Sequence, residues 1–301
     1  MSSDAKVTAS QRKRNLHLNI HRINSDFPTN FAKSPQKPVW KDKLVQGQFH
    51  GICSKKGPFR QNMEDRFCVC LSGNFLSFGV YDGHNGGEAA EFASSYLQTQ
   101  IRFFTLESLT EAFEQTDLAF CNSSSNTNSG TTAAVLMTQE DKLIVGNLGD
   151  TKVLVVSEET FEILSQDHLA SDNSERKKVE QSGGFIVPVG SMMRVQGRLS
   201  VTRSIGDCCY KKYLSSEPFV CSRKLGQDDL VAVVASDGLF ERLECRQIAN
   251  YVREMKDRGM GQLAEGLTNK AVSSGTRDNV TVISVDLKEM VCRFQTTQTR
   301  V

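Results

Sequence analysis

Apolar positions along this chain recur with two different periods. Leu76-Ser-Phe-Gly-Val-Tyr81 alternates apolar and small residues, as a half-buried strand would. Leu230-Val-Ala-Val-Val-Ala-Ser236 is apolar almost without interruption, which predicts a strand covered on both faces. Shorter runs predict further strands at His50–Cys53, Phe67–Leu71, Thr131–Thr138, Lys142–Asn147, Lys152–Val156, Phe161–Leu164 and Val280–Val285. Gly73-Asn74 predicts a hairpin leading into the 76–81 strand. The helical period appears at Glu88–Leu97, with apolar positions 89, 92, 93, 96 and 97, and again over Leu106–Phe120. It also predicts helices over Glu244–Met255 and Gly261–Val272, and a polar helix over Ser171–Gln181 capped by Ser171 or Asp172. Neighbouring strands joined by short turns predict antiparallel sheets rather than βαβ units.

Outside the regular segments, residues 1–45 hold Pro28, Pro35 and Pro38 and no sustained periodicity, so they read as a basic, mostly disordered arm. The body is expected over residues 46–288, followed by a short tail over 289–301. Asn122–Ser129 reads as a polar loop. Residues 1–44 carry a net charge of +6 and the remainder −5. An acidic body argues against a nucleic-acid-binding core and suits cation binding, although a solvated acidic face is the commoner cause of such a balance. No run approaches the length of a membrane span and no apolar leader opens the chain, so an intracellular location, cytoplasmic or nuclear, is expected. The Arg/Ser content of the arm leaves a mitochondrial presequence open, with Asp4 against it. The arm is also expected to dock on an acidic partner or membrane surface. Nine scattered cysteines contain no Cys-x-x-Cys pair, and free thiols are expected, Cys208-Cys209 among them.

Chemistry enters at the strand ends. Asp82, Asp150, Asp237 and Asp278 each stand at the edge of a predicted strand, and Glu64-Asp65 stands just ahead of one. Asp-Gly by itself is a common turn dipeptide, so a single such site means little. Several carboxylates gathered together repel unless a cation or proton lies between them. An oxygen-only donor set selects hard cations, Mg²⁺ or Mn²⁺, over zinc or copper. Cysteinyl-phosphate, Asp-x-Asp, Walker and Gly-x-Ser-x-Gly motifs are all lacking.

In order, the chain carries Arg60…Met63-Glu-Asp65, Tyr81-Asp-Gly-His-Asn-Gly86, Ser129-Gly-Thr-Thr-Ala133, Asn147-Leu-Gly-Asp150 and Asp167-His168. These are followed by Gly197-Arg-Leu-Ser-Val-Thr-Arg-Ser-Ile-Gly-Asp207, Glu217-Pro218, Ala235-Ser-Asp-Gly238 and Arg277-Asp-Asn279. The ordered set resembles the metal-dependent serine/threonine phosphatases of the protein phosphatase 2C type over about residues 46–288. The resemblance implies an α+β fold, an αββα four-layer sandwich with two mainly antiparallel sheets packed face to face between helices. It implies hydrolysis of phosphoserine and phosphothreonine by direct attack of a water activated by a dinuclear Mg/Mn centre, on phosphoprotein substrates. No coiled-coil or exposed apolar seam suggests an oligomer, so a monomer is expected.

By the same resemblance, Asp82 bridges two metals, Asp237 and Asp278 complete one site, and Glu64 with the Gly83 carbonyl serves the other. Asp65 orients the attacking water, Arg60 holds the substrate phosphate and His84 is the general acid. A weaker third metal site is expected at Asp150, Thr131 and Glu241. Glu241 stands where the family usually has aspartate, which puts that site's occupancy in question, and Phe240 stands where it usually has tryptophan. Residues from Asp167 to Arg198 resemble the family's flap. His168 is read as structural and Asp207 as a turn or capping residue. The rival reading is a pseudophosphatase that keeps the fold as a binding module.

Overall fold

The computed structural model describes residues 42–123 and 128–291. Most of the basic arm, with its expected docking role, residues 124–127 of the polar loop, and the tail from residue 292 lie outside the described residues. In chain order, four strands come first: β1 (Lys43–Gln46), β2 (His50–Lys55), β3 (Arg66–Ser72) and β4 (Phe75–His84). Helices α1 (Glu88–Gln100) and α2 (Leu106–Asn122) follow, then β5 (Gly130–Gln139), β6 (Lys142–Leu148), β7 (Lys152–Ser157) and β8 (Phe161–Ile163). Helix α3 (Asn173–Gln181) precedes β9 (Ile186–Val189), β10 (Met192–Val195), β11 (Ile205–Gly206), β12 (Phe219–Lys224) and β13 (Asp229–Ala235). Next come α4 (Asp237–Phe240), α5 (Cys245–Met255), α6 (Met260–Ser273) and β14 (Val280–Asp286), and the described chain ends in a helical stretch over 287–291.

Two antiparallel sheets carry the molecule. One has the order β1-β2-β14-β13-β7-β8; the other runs β12-β6-β5-β4-β3, with β11 paired to β5. Strand alternation decides what each sheet packs against. In β13, Ala232 and Val234 face the opposing sheet with Phe78 and Val80 of β4, while Val231, Val233 and Ala235 face α5 and α6. Every residue of β13 is therefore buried, as its unbroken apolar run predicts. On the far side, Tyr81, Ala133, Val135 and Met137 pack on Ala90, Ala93 and Leu97 of α1 and on Leu109 and Phe113 of α2. The result is the expected αββα sandwich: helices, sheet, sheet, helices. Among the described residues no helix is long and apolar enough to cross a membrane.

Four expectations are corrected. Lys43–Val45, read as the end of the arm, pairs with β2 along the sheet edge, because backbone pairing rather than apolar content makes it a strand. Met290, read as tail, is buried between the sheets and its sulfur accepts from the Thr138 hydroxyl. Between Gln181 and Leu230, where no element is predicted, lie the β9–β10 hairpin, β11 and β12, which lines the second sheet's edge against β6. Finally, Cys121 and Cys208 form a disulfide, contrary to the expectation of free thiols. The partners lie 87 residues apart, so no local spacing announces them. Cys53, Cys68, Cys70, Cys209, Cys221 and Cys245 are free.

Candidate active site

The strand ends that carry the acids converge. Asp82, at the end of β4, is opposed across the sheet by Thr132, and Gly83 by Thr131. β13 ends at Ala235, and the chain turns through Ser236 into the short helix α4, placing Asp237 in its first turn. Asp278 lies just before β14, the neighbour of β13. Close backbone packing sets this corner: a Cβ on Gly238 would stand 2.0 Å from the Asn279 carbonyl oxygen, so only glycine lets α4 sit against the start of β14.

Asn279 then ties the corner to the segment before β3. Its Oδ1 accepts from the Glu64 amide at 2.7 Å, and its Nδ2 donates to the carbonyls of Lys56 at 2.8 Å and Asn62 at 3.1 Å. Ser236 does the same for Asp65, donating to its carboxylate at 2.8 Å while accepting from the Thr281 amide at 2.9 Å. Four segments remote in sequence thus deliver their acids to one cleft.

Within it, Asp82 lies within hydrogen-bonding reach of both Asp65 and Asp237. Carboxylate oxygens of Asp237, Glu241 and Asp278 all lie within 4.8 Å of one another. Burial, followed by the charges of Asp237, Asp65 and Asp278, holds the Asp82 carboxyl well above its ordinary 3.8. Burial and then Asp150 and Asp278 do the same to Asp237. Asp65 is raised to about 6, chiefly by burial and against the Ser236 hydroxyl. Asp150 is raised to about 6 by burial and by Asp167. Oδ1 of Asp237 is buried with no hydrogen-bond donor. Facing acids with an unpartnered buried oxygen form a donor set that hard cations fit, since a divalent ion satisfies the acceptors and removes the repulsion together.

The other expected residues are placed less uniformly. Glu64 Oε1 accepts from the Gly86 amide at 3.1 Å, and burial raises its carboxyl. Arg60 is half-exposed and pairs with Asp278. The Thr131 hydroxyl donates to the carbonyls of Asp82 at 3.0 Å and Thr132 at 2.8 Å, so it is engaged with backbone. Glu241 groups with Asp237 and Asp278, while the charge of Asp150 acts on Asp237. His168 is buried and its Nδ1 accepts from the Gly149 amide at 3.1 Å, a structural arrangement. For Asp207 the expectation of a turn residue is incomplete: it does occupy a turn, at φ 50, but its carboxylate lies 2.7 Å from Nε2 of His84. The two are 123 positions apart, and no sequence signal short of the motif order connects them.

The family model described as "Protein phosphatase 2C" matches residues 50–280 of this chain. The chain belongs to the protein phosphatase 2C family. "Probable protein phosphatase 2C 69" of Arabidopsis thaliana is 31% identical over 281 residues, covering 88% of this chain and 78% of that protein. "Probable protein phosphatase 2C 59" from the same organism is 31% identical over 266 residues, covering 84% of each. Among solved structures, a C. elegans sex determining protein superposes with a TM-score of 0.74 at 24% identity, over 95% of this chain and 76% of that one. The serine-threonine phosphatase 2C of Toxoplasma gondii gives 0.72 at 18% identity, over 81% of this chain and 98% of that one. These two likenesses establish the fold. Protein phosphatase 2C enzymes are metal-dependent protein serine/threonine phosphatases, and this chain is an enzyme of that class acting on phosphoproteins.

The cleft of this protein phosphatase 2C has a measurable consequence for stability. Asp82 and Asp237 lie well above 3.8 and Asp65 and Asp150 near 6, so without cations these groups bind protons more tightly folded than unfolded. Their contribution to stability is present below about pH 4 and is lost as pH rises through 6 and beyond. In EDTA, the melting temperature is expected to fall by about 5 °C or more between pH 5 and pH 7. Saturating Mn²⁺ is expected to remove that slope. Scanning calorimetry checks this, and a melting temperature in EDTA that climbs over the same interval contradicts the cleft as described.

Proposed function

We propose that this phosphatase uses two divalent cations, Mg²⁺ or Mn²⁺, which Glu64, Asp82, Asp237, Asp278 and the Gly83 carbonyl would hold. The observation that carries this reading is the convergence of Asp82, Asp65, Asp237 and Asp278, with Asp237 Oδ1 lacking any donor. When bound, such ions supply charge neutralisation at phosphorus and lower the pKa of water near it.

The chain's own groups account for the rest. Arg60 stands half-exposed, with donors beyond the one spent on Asp278, and its planar fork suits a phosphate monoester. Asp65, pinned by Ser236, lies beside Asp82 and is placed to accept a hydrogen bond from the attacking water. The water oxygen forms the new bond to phosphorus as the bond to the serine or threonine oxygen breaks. His84 gives that departing oxygen its proton. The products are inorganic phosphate and the free hydroxyl side chain. Asp150, with Glu241 near Asp237, is the place for a weaker third ion, and a Thr131 hydroxyl already spent on backbone argues for its contribution being small.

Purified protein is expected to hydrolyse phosphoserine and phosphothreonine peptides only with added Mn²⁺ or Mg²⁺, saturating at millimolar concentrations. Calorimetry is expected to count at least two Mn²⁺ per chain. A protein that binds Mn²⁺ and leaves phosphopeptides untouched is the pseudophosphatase; one that turns over fully in EDTA excludes the metal centre.

A further inference from the structure

His84 and Asp207 meet at a place built for them. Oδ2 of Asp207 lies 2.7 Å from Nε2 of His84, and the Asp207 side chain is fully buried while the imidazole is 26% exposed. The strand beneath the pair has no side chain there. A Cβ on Gly130, the cross-strand partner of His84, would stand 2.1 Å from Asp207 Oδ2 and 2.4 Å from His84 Nε2.

The turn that carries Asp207 is anchored on every side. Its own amide donates to the Ser129 carbonyl at 2.9 Å, and the Gly206 amide donates to Asp117 Oδ1 at 2.9 Å. The next residue, Cys208, is bonded to Cys121 at the end of α2. Asp207 also holds the left-handed backbone conformation at φ 50, which costs a non-glycine residue free energy. A buried acid held this firmly, over a glycine that makes room for the contact, is built to orient the ring above it.

We propose that Asp207 is the positioning residue for His84, fixing the imidazole through Nε2 and leaving Nδ1 as the nitrogen that delivers the proton. The proposal rests on the general-acid reading of His84. The proton on Nδ1 passes to the departing serine or threonine oxygen. The ring is left neutral with its hydrogen on Nε2, the tautomer that the Asp207 carboxylate accepts from. Without that carboxylate the ring can rotate, and only a fraction of encounters present the Nδ1–H to the departing oxygen.

Leaving-group chemistry separates this role from simple support. A serine oxygen needs a proton to depart, whereas p-nitrophenolate leaves without one. Asp207→Asn is expected to lower kcat on a phosphoserine peptide by about 10- to 100-fold, with KM unchanged and with a loss on p-nitrophenyl phosphate at least about tenfold smaller. Gly130→Ala, which forces the pair apart, is expected to show the same selectivity. In the ¹⁵N spectrum of the Mg²⁺-loaded wild type, neutral His84 is expected as a single Nε2–H tautomer. That tautomer is expected to become a mixture in Asp207→Asn.

Equal losses on both substrates for Asp207→Asn, or a wild-type His84 that carries its hydrogen on Nδ1, overturns the proposal. The wild-type spectrum decides even if a variant fails to fold. His84→Ala is the control for the underlying reading. If it loses equally on both substrates, His84 is not the general acid. If it discriminates and Asp207→Asn does not, only the role of Asp207 fails.

Discussion

Asp82→Asn is expected to cut turnover of phosphoserine peptides by about three to four orders of magnitude and, at the same time, to raise the melting temperature of the metal-free protein. The loss corresponds to about 4–5 kcal/mol of transition-state stabilisation. It follows from the place of this carboxyl in the cleft, within reach of both Asp65 and Asp237 and acted on by Asp278 and Asp150 as well. An amide of the same shape cannot supply the negative charge with which Asp82 would hold divalent cations. The gain in stability has the same origin. The substitution removes the most encumbered member of a mutually repelling set and offers an N–H to an acid facing it. Peptide hydrolysis in Mn²⁺ and calorimetry in EDTA read the two effects separately. Near-wild-type turnover, or a melting temperature in EDTA that drops, would show that Asp82 does not stand at the centre of the acidic group.

Reduction of the Cys121–Cys208 bond is expected to lower stability by about 4–5 kcal/mol, the chain-entropy value for a closed loop of this length. For a domain of this size that lowers the melting temperature by roughly 10 °C. The bond joins the end of α2 to the turn after β11, so the loop it closes encloses β5 to β11. Cys121→Ser, Cys208→Ser and the double variant are expected to lose the same amount, because the first substitution already removes the whole interaction. Cys209→Ser, at an exposed free thiol, is expected to melt with the wild type. Alkylation of unreduced, unfolded protein followed by mass spectrometry should find two cysteines protected. If every cysteine is labelled and both single variants melt normally, the bond does not form.

Much of the architecture was legible in the chain because its determinants are local. β13 is apolar at nearly every position and is buried at every position, one face on the opposing sheet and one on α5 and α6. The helical stripes in α1 and α2 place Ala93, Leu97, Leu109 and Phe113 on one side, and that side is the one that packs on β4 and β5. Where the pattern was silent, the element owes its form to a neighbour. β1 and β12 are edge strands of mixed composition held by pairing with β2 and β6, and β11 is two residues long and exists through β5. Backbone pairing leaves no mark on side-chain type when only one face, or neither, is covered.

The acids at the strand ends followed from the sequence by residue type, spacing and motif order, and so did the oxygen-only chemistry they imply. Their meeting did not: Glu64, Asp82, Asp237 and Asp278 are brought together by sheet pairing and by bonds from Asn279 and Ser236 that span 45 positions or more. The same holds for the disulfide and for the carboxylate of Asp207 beneath His84, which joins residues 123 apart. A strand or helix is specified by residues a few positions apart, so its pattern is written in the chain. A contact between distant segments is fixed by how whole layers pack, and only the folded molecule holds that information.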